Sequence, residues 1–212
     1  MKKIAVIDYG MGNLHSVEKA LQVAVQAGDG NYKICVTSDP QKLMTADRIV
    51  FPGVGALGYC IQGLQQRGLD EVLRLCIKQK PVLGICVGMQ ALFDSSEENG
   101  GTPGLGIIEG EVVRFVQPQT VSIKIPHMGW NEVRQTMNHP MWQGIDDMSR
   151  FYFVHSYYVR PVDKKIVVGD VNYGQPIAAV VAQDNIFAVQ FHPEKSQQCG
   201  LKLLTNFLNW KI

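Results

Sequence analysis

An excess of charge of either sign is missing from this 212-residue chain: 20 basic groups face 19 acidic ones, a net of +1 with histidine neutral. So even a balance provides no electrostatic footprint for nucleic acid or an anionic membrane surface, and neither is expected as a partner. Long apolar runs are missing too. The opening "MKKIAVIDYG" is interrupted by Asp8 well before it could form a signal-peptide core or a membrane span, which points to a soluble protein of the cytoplasm. The five cysteines, Cys35, Cys60, Cys76, Cys86 and Cys199, include no C-x-x-C pair, which argues against a disulfide framework and a zinc cage. The glycines of "DYGMGN" do not fit the phosphate loop G-x-x-x-x-G-K-[ST]. No metal and no cofactor is expected. Internal repeats, low-complexity tracts and Pro/Ser-rich linkers are also absent, so residues 1–212 read as one domain.

What is present is an alternation of short apolar runs and helical patterns. "KIAVID" ends at the glycines of "YGMG" and is followed by Val17, Ala20, Leu21 and Ala24 at helical spacing, which predicts strand, turn and helix. "YKICV" and "DRIVF" predict two more buried strands, the second running into the glycine-rich loop "PGVGALG". Ile61, Leu64, Leu69, Val72, Leu73 and Cys76 form a helical region, "PVLGI" a fourth strand, and "GMQALFDSS" the start of another helix. This order predicts an α/β fold whose central sheet is mostly parallel and flanked by helices, joined by right-handed crossovers. Beyond about residue 104 the runs "GIIEGEVVRF", "SIKIPHMGW", "FYFVHSYYV", "IVVGDV", "PIAAVVAQ" and "IFAVQF" add an antiparallel β-rich portion. A last helix is expected in "SQQCGLKLLTNFLNW".

In open parallel sheets ligands bind outside the carboxyl ends of the strands, where Gly10, Gly53 and Cys86 fall. "GICVG" fits G-x-S-x-G with cysteine for serine, at a strand-to-helix junction that would expose a nucleophile on a sharp turn. The helix after it would favour thiolate, and the Val87 N–H would face a carbonyl under attack. This much leaves Cys86 either a nucleophile or a small core residue. "FHPEKS" tips the balance. His192 and Glu194 stand two apart at a strand end, so a carboxylate can hold the imidazole in one tautomer while its other nitrogen meets a thiol. A metal on these two would lack further ligands at metal spacing. The "PGVG" loop offers N–H groups near Val54 and Gly55 that could complete an oxyanion hole with Val87. His15 and His139 read as surface residues, His127 and His155 as structural or interface residues, and the other four cysteines as inert thiols.

With these motifs assembled, "PGVG", "GICVGMQ" and "HPEKS", the chain resembles the class I (triad) glutamine amidotransferases over nearly its whole length. "DYGMGNLHSV", "PHMGWN" and "FYFVHSYY" narrow the resemblance to the glutaminase subunits of imidazole glycerol phosphate synthases. The resemblance implies Cys86 as nucleophile, His192 as acid/base and Glu194 as its orienting carboxylate. It also implies Val54 and Val87 N–H groups at the oxyanion, with Gln90 and Glu98 recognising the amino-acid end of glutamine. Its implied partner is a (βα)8-barrel cyclase subunit that receives ammonia, docked on a face including Met128 and Trp130. Trp130 could instead be a core residue. Other members of the same fold remain as alternatives: a glutaminase serving another synthase, a cysteine hydrolase or chaperone, or a non-enzymatic scaffold.

Overall fold

The computed structural model describes residues 1–28, 31–117 and 122–212. The first half alternates as its apolar runs dictate: β1 (Lys2–Ile7), α1 (Leu14–Ala27), β2 (Tyr32–Thr37), α2 (Pro40–Met44), β3 (Arg48–Gly53), α3 (Leu57–Gln65), α4 (Leu69–Ile77) and β4 (Val82–Cys86). Val50, Phe51, Val82 and Leu83 are consecutive and inaccessible in their strands, as expected where a parallel sheet is covered on both faces. α1 packs on the chain's last helix, α6 (Gln197–Asn209), while α3 packs on α4. α1 buries Val17, Leu21, Ala24 and Val25, a stripe at spacings of three and four. The helical stretch after β3 is two helices, because Gly68 adopts a left-handed φ of 62° between them.

The helix expected after Cys86 is one turn, α5 (Val87–Gln90), and Phe93–Ser96 is a strand, β5. The competing interactions are tertiary: the carbonyls of Ala91 and Leu92, which a longer helix would use, accept the N–H groups of Leu105, Ile107 and Ile108. β5 joins β6 (Thr102–Pro103), β7 (Ile108–Arg114) and β10 (Tyr157–Pro161) in a four-stranded sheet ordered β10-β7-β5-β6. The remaining strands are β8 (His127–Gln135), β9 (Ser149–His155), β11 (Val167–Asn172), β12 (Pro176–Gln183) and β13 (Ile186–Val189). They extend the first sheet to nine strands, ordered β2-β1-β3-β4-β13-β12-β11-β8-β9. β13 pairs parallel with β4 and antiparallel with β12, so it is the seam between the two halves. Two expected strands change shape. "SIKIPHMGW" becomes regular only at His127, after Pro126, which has no N–H to give a ladder. "FYFVHSYYV" is broken at Ser156, where the chain leaves the large sheet and enters the small one.

Two details fix where the site stands. Arg48, buried, donates to the Tyr32 hydroxyl at 3.0 Å and the Trp210 carbonyl at 2.6 Å, pinning the chain's last turn beneath the parallel half. At the other pole the turn after Cys86 lies directly on β3. A Cβ at Gly88 would sit 1.9 Å from the Phe51 carbonyl oxygen, and one at Gly53 2.5 Å from the Gly88 nitrogen. Both neighbours are backbone and cannot swing aside. Gly88→Ala is therefore expected to destabilise the protein by about 3 kcal/mol or more. Gly58→Ala, whose new methyl would find only Thr102 at 3.7 Å in a helix, should stabilise by about 0.5–1 kcal/mol. Urea unfolding of the two variants, read as opposite shifts of the midpoint, checks the assignment.

Candidate active site

Cys86 ends β4 with φ 54° and ψ −111°, a backbone region that costs a non-glycine residue about 1–3 kcal/mol. The strain is held by packing: Gly84 lies against Ala188, where a Cβ would be tight at 3.0 Å, and Gly88 against Phe51, where there is no room for one. Held this way, Cys86 lines a cavity of about 420 Å³ together with Val54, Val87, Gln90, Glu98 and His192, within the range of small-ligand sites. The other walls are Val154, His155, Ser156 and Tyr157 at the corner between the sheets, with Pro126 and Lys195. The sequence-derived residues at 54, 86, 87, 90, 98 and 192 thus share one cavity. Met128 and Trp130 do not line it: they are 61% and 38% exposed on the outer face of β8, so the core alternative for Trp130 fails.

His192 and Glu194 follow β13, with their side chains 3% and 2% exposed and His192 Nδ1 2.7 Å from Glu194 Oε1. The backbone there is tied down by His192 N–H to the Tyr152 carbonyl at 2.9 Å and by the Ser196 hydroxyl to the His192 carbonyl at 2.6 Å. Burial alone would lower the imidazole's pKa, but the Cys86 sulfur and the Glu194 carboxylate reverse this and raise it to about 10. His192 Nε2 is buried and makes no hydrogen bond of regular geometry, so the influence of Cys86 on it is one of proximity. The pair is an imidazolium held by a carboxylate, its free N–H beside a sulfur, which suits proton delivery to a leaving group.

Gln90 is the best-defined polar group of the wall. Its Nε2 donates to the Tyr157 carbonyl and to Gln190 Oε1, each at 3.0 Å. A main-chain carbonyl can only accept, so the amide is oriented unambiguously and its Oε1 is left as the atom to accept from a ligand. Gln190, absent from the sequence reading, is fully buried and places its own Nε2 3.7 Å from Cys86 Sγ. Its signal was available: a glutamine inside the apolar run "FAVQF", two residues before His192, a spacing that turns both side chains to one side of an extended chain. Glu98 has a second task, accepting the Leu57 N–H at 2.6 Å at the start of α3.

The two backbone donors differ. Val87 opens α5, so its N–H has no acceptor within the helix. The Val54 N–H approaches the Tyr9 hydroxyl, although that buried hydroxyl has no regular hydrogen-bond partner. The one-turn α5 gives little of the helix field expected at Cys86, because a dipole builds over several turns. Elsewhere, Cys60 is buried with its thiol pushed up to about 12 by that burial. His15 is exposed, as expected. His139 departs from its surface reading: it is half-buried and accepts the Met141 N–H at 3.2 Å. Among the described residues no three His, Cys, Asp or Glu side chains gather as metal ligands, and no helix is long and apolar enough to cross a membrane.

The chain is similar to known proteins. Residues 5–210 match the family described as glutamine amidotransferase class-I. The imidazole glycerol phosphate synthase subunit HisH of Acinetobacter baylyi is 54% identical over 100% of both chains. That of Methylococcus capsulatus is 54% identical over 100% of this chain and 98% of its own. Among solved structures, a glutamine amidotransferase superposes with a TM-score of 0.70 at 18% identity over 97% of both chains. Another, from Thermotoga maritima, gives 0.58 at 15% identity over 91% of this chain and 76% of its own. Identities that low speak for the fold alone. The end-to-end relatives say more: the chain belongs to the class-I glutamine amidotransferase family and, within it, to the HisH subunits of imidazole glycerol phosphate synthase.

Proposed function

We propose that the whole chain, residues 1–212, works in the cytoplasm as one glutaminase domain that hydrolyses glutamine and hands ammonia to a cyclase subunit. The observation that carries the reading is the buried His192–Glu194 pair facing the strained Cys86 across one cavity. In this mechanism the Cys86 thiolate attacks the side-chain amide carbon of glutamine. The developing oxyanion is met by the Val87 N–H and, once its loop has turned, by the Val54 N–H. His192 gives its proton to the departing nitrogen, and ammonia leaves a glutamyl thioester. Neutral His192 then takes a proton from water, whose oxygen attacks the thioester carbon, releasing glutamate and restoring thiolate and imidazolium. Gln90 Oε1 and the Glu98 carboxylate accept from the substrate's ammonium group.

The partner assigned to this half is a (βα)8-barrel cyclase. Its nucleotide-derived substrate takes up the ammonia and yields imidazole glycerol phosphate and an aminoimidazole carboxamide ribotide. Met128 and Trp130 suit a docking face: both are large, apolar and exposed, and neighbouring positions 128 and 130 point the same way on one strand. Trp130 meets the Tyr152 ring edge-on at 6.0 Å.

Three outcomes are expected. Cys86→Ala should lower glutamine turnover, assayed with the cyclase and its nucleotide ligand, by at least about 10³-fold; normal turnover would end the glutaminase reading. Glu194→Gln removes a charge that holds the imidazolium, so His192 loses its proton at lower pH. The alkaline fall of kcat/KM should move down by about one unit or more, and an unmoved limb would exclude Glu194 from this role. Trp130→Ala should weaken association with the cyclase by roughly thirtyfold, measured by titration calorimetry, while changing the stability of the isolated chain by less than about 1 kcal/mol.

A further inference from the structure

His127 and His155, which the mechanism leaves idle, face each other across β8 and β9 and are almost fully buried. Their protons can be located from the two ends of a chain of hydrogen bonds. At one end Asn131 Oδ1 accepts the Glu132 N–H at 2.9 Å, so Nδ2 is the donor to the Asn172 carbonyl and to His127 Nε2, each at 3.2 Å. His127 must then carry its proton on Nδ1, which lies 2.9 Å from His155 Nε2. At the other end His155 Nδ1 lies 2.8 Å from the Tyr157 carbonyl, which can only accept. Starting from either end gives the same result: two neutral imidazoles, both protonated on Nδ1, pointing one way. Burial, which lowers the pKa of both rings, agrees with the neutral forms.

The chain ends on a functional atom. Tyr157 follows the corner at Ser156 where the strand changes sheets, and its carbonyl also receives the Gln90 amide at 3.0 Å. One oxygen therefore ties together the corner that walls the cavity and the side chain that presents Oε1 to a ligand. We propose that His127 and His155 are positioning residues: their directed hydrogen bonds from Asn131 hold the 155–157 corner and so the Gln90 amide in the orientation that accepts the amino-acid end of glutamine. This rests on the glutaminase reading for the identity of the ligand, and on hydrogen-bond geometry for the rest.

The test uses three variants of the full chain in complex with the cyclase, together with ¹⁵N spectra of histidine-labelled protein. The spectra of the wild type should show both rings neutral and Nδ1-protonated at pH 7; an Nε2–H tautomer or an imidazolium at either ring would overturn the chain. His155→Leu, which removes both of its links, should raise the KM for glutamine about tenfold or more with kcat changed by less than about threefold. His155→Asn, which can keep a donor near the Nδ1 position, should recover much of that loss, and an equal loss in both would overturn the role of the Tyr157 contact. Asn131→Asp decides the matter if the leucine variant does not fold. It preserves shape but replaces the donor by an acceptor, so it should change the His127 spectrum and raise KM, and an unchanged KM would refute positioning. Absence of any glutamine hydrolysis in the wild-type complex would instead sink the glutaminase reading, leaving the spectra to judge the hydrogen-bond chain.

Discussion

The close approach of the turn after Cys86 to β3 is the constraint on which the site depends. Only the absence of a Cβ at Gly88 lets the turn rest on the Phe51 carbonyl, and only its absence at Gly53 leaves room for the Gly88 nitrogen. With the turn fixed there, Cys86 has to take a positive φ, and its side chain is thrown off the end of β4 rather than into the sheet. A cysteine at the same place in a relaxed strand would alternate in or out with its neighbours and pack. The strain at Cys86 is thus a consequence of packing between two strands, offset by the hydrophobic core that holds them.

Three buried histidines show how the same side chain acquires opposite character from its partners. His192 has a carboxylate on Nδ1 and a sulfur near Nε2, and its pKa rises to about 10 in spite of burial. His127 and His155 have an amide, a carbonyl and each other, none of them charged, and burial lowers them to about 4 and about 3. What separates the two cases is that at His192 the Cys86 sulfur and the Glu194 carboxylate together outweigh desolvation. The result is one charged imidazole beside the nucleophile and two neutral ones, His155 in the wall and His127 behind it, so these two rings add no positive charge to compete with the imidazolium.

Much of this was legible in the sequence for specific reasons. Parallel strands buried on both faces appear as uninterrupted apolar runs, and β1, β3 and β4 fell where those runs lie. Cys86, His192 and Val87 were visible because turn chemistry and strand ends constrain residue type locally. What escaped was settled by distant hydrogen bonds. The helix after Gln90 was cut short by residues 105–108 taking the carbonyls of Ala91 and Leu92, and no window around residue 90 contains that competition. The break at Ser156 likewise depends on β10 finding β7. Gln190 and the His127–His155 pair belong to networks whose members lie up to 104 residues apart, so the sequence offers their polarity but not their partners.

The two candidate oxyanion donors have different mechanical standing, and this limits how a partner could control the proposed glutaminase. Val87 N–H belongs to the turn locked onto β3 and cannot move without unpacking Gly88 from Phe51. Val54 belongs to a loop where Gly55 holds φ 82° and the side chain is only partly buried, and its N–H leans toward the Tyr9 hydroxyl. A docking partner can therefore switch one donor while the other stays fixed. One such donor is worth about 10²–10³ in rate, so loop rearrangement by itself supports an activation of that order. A larger activation would require the partner to act on something besides the Val54 loop.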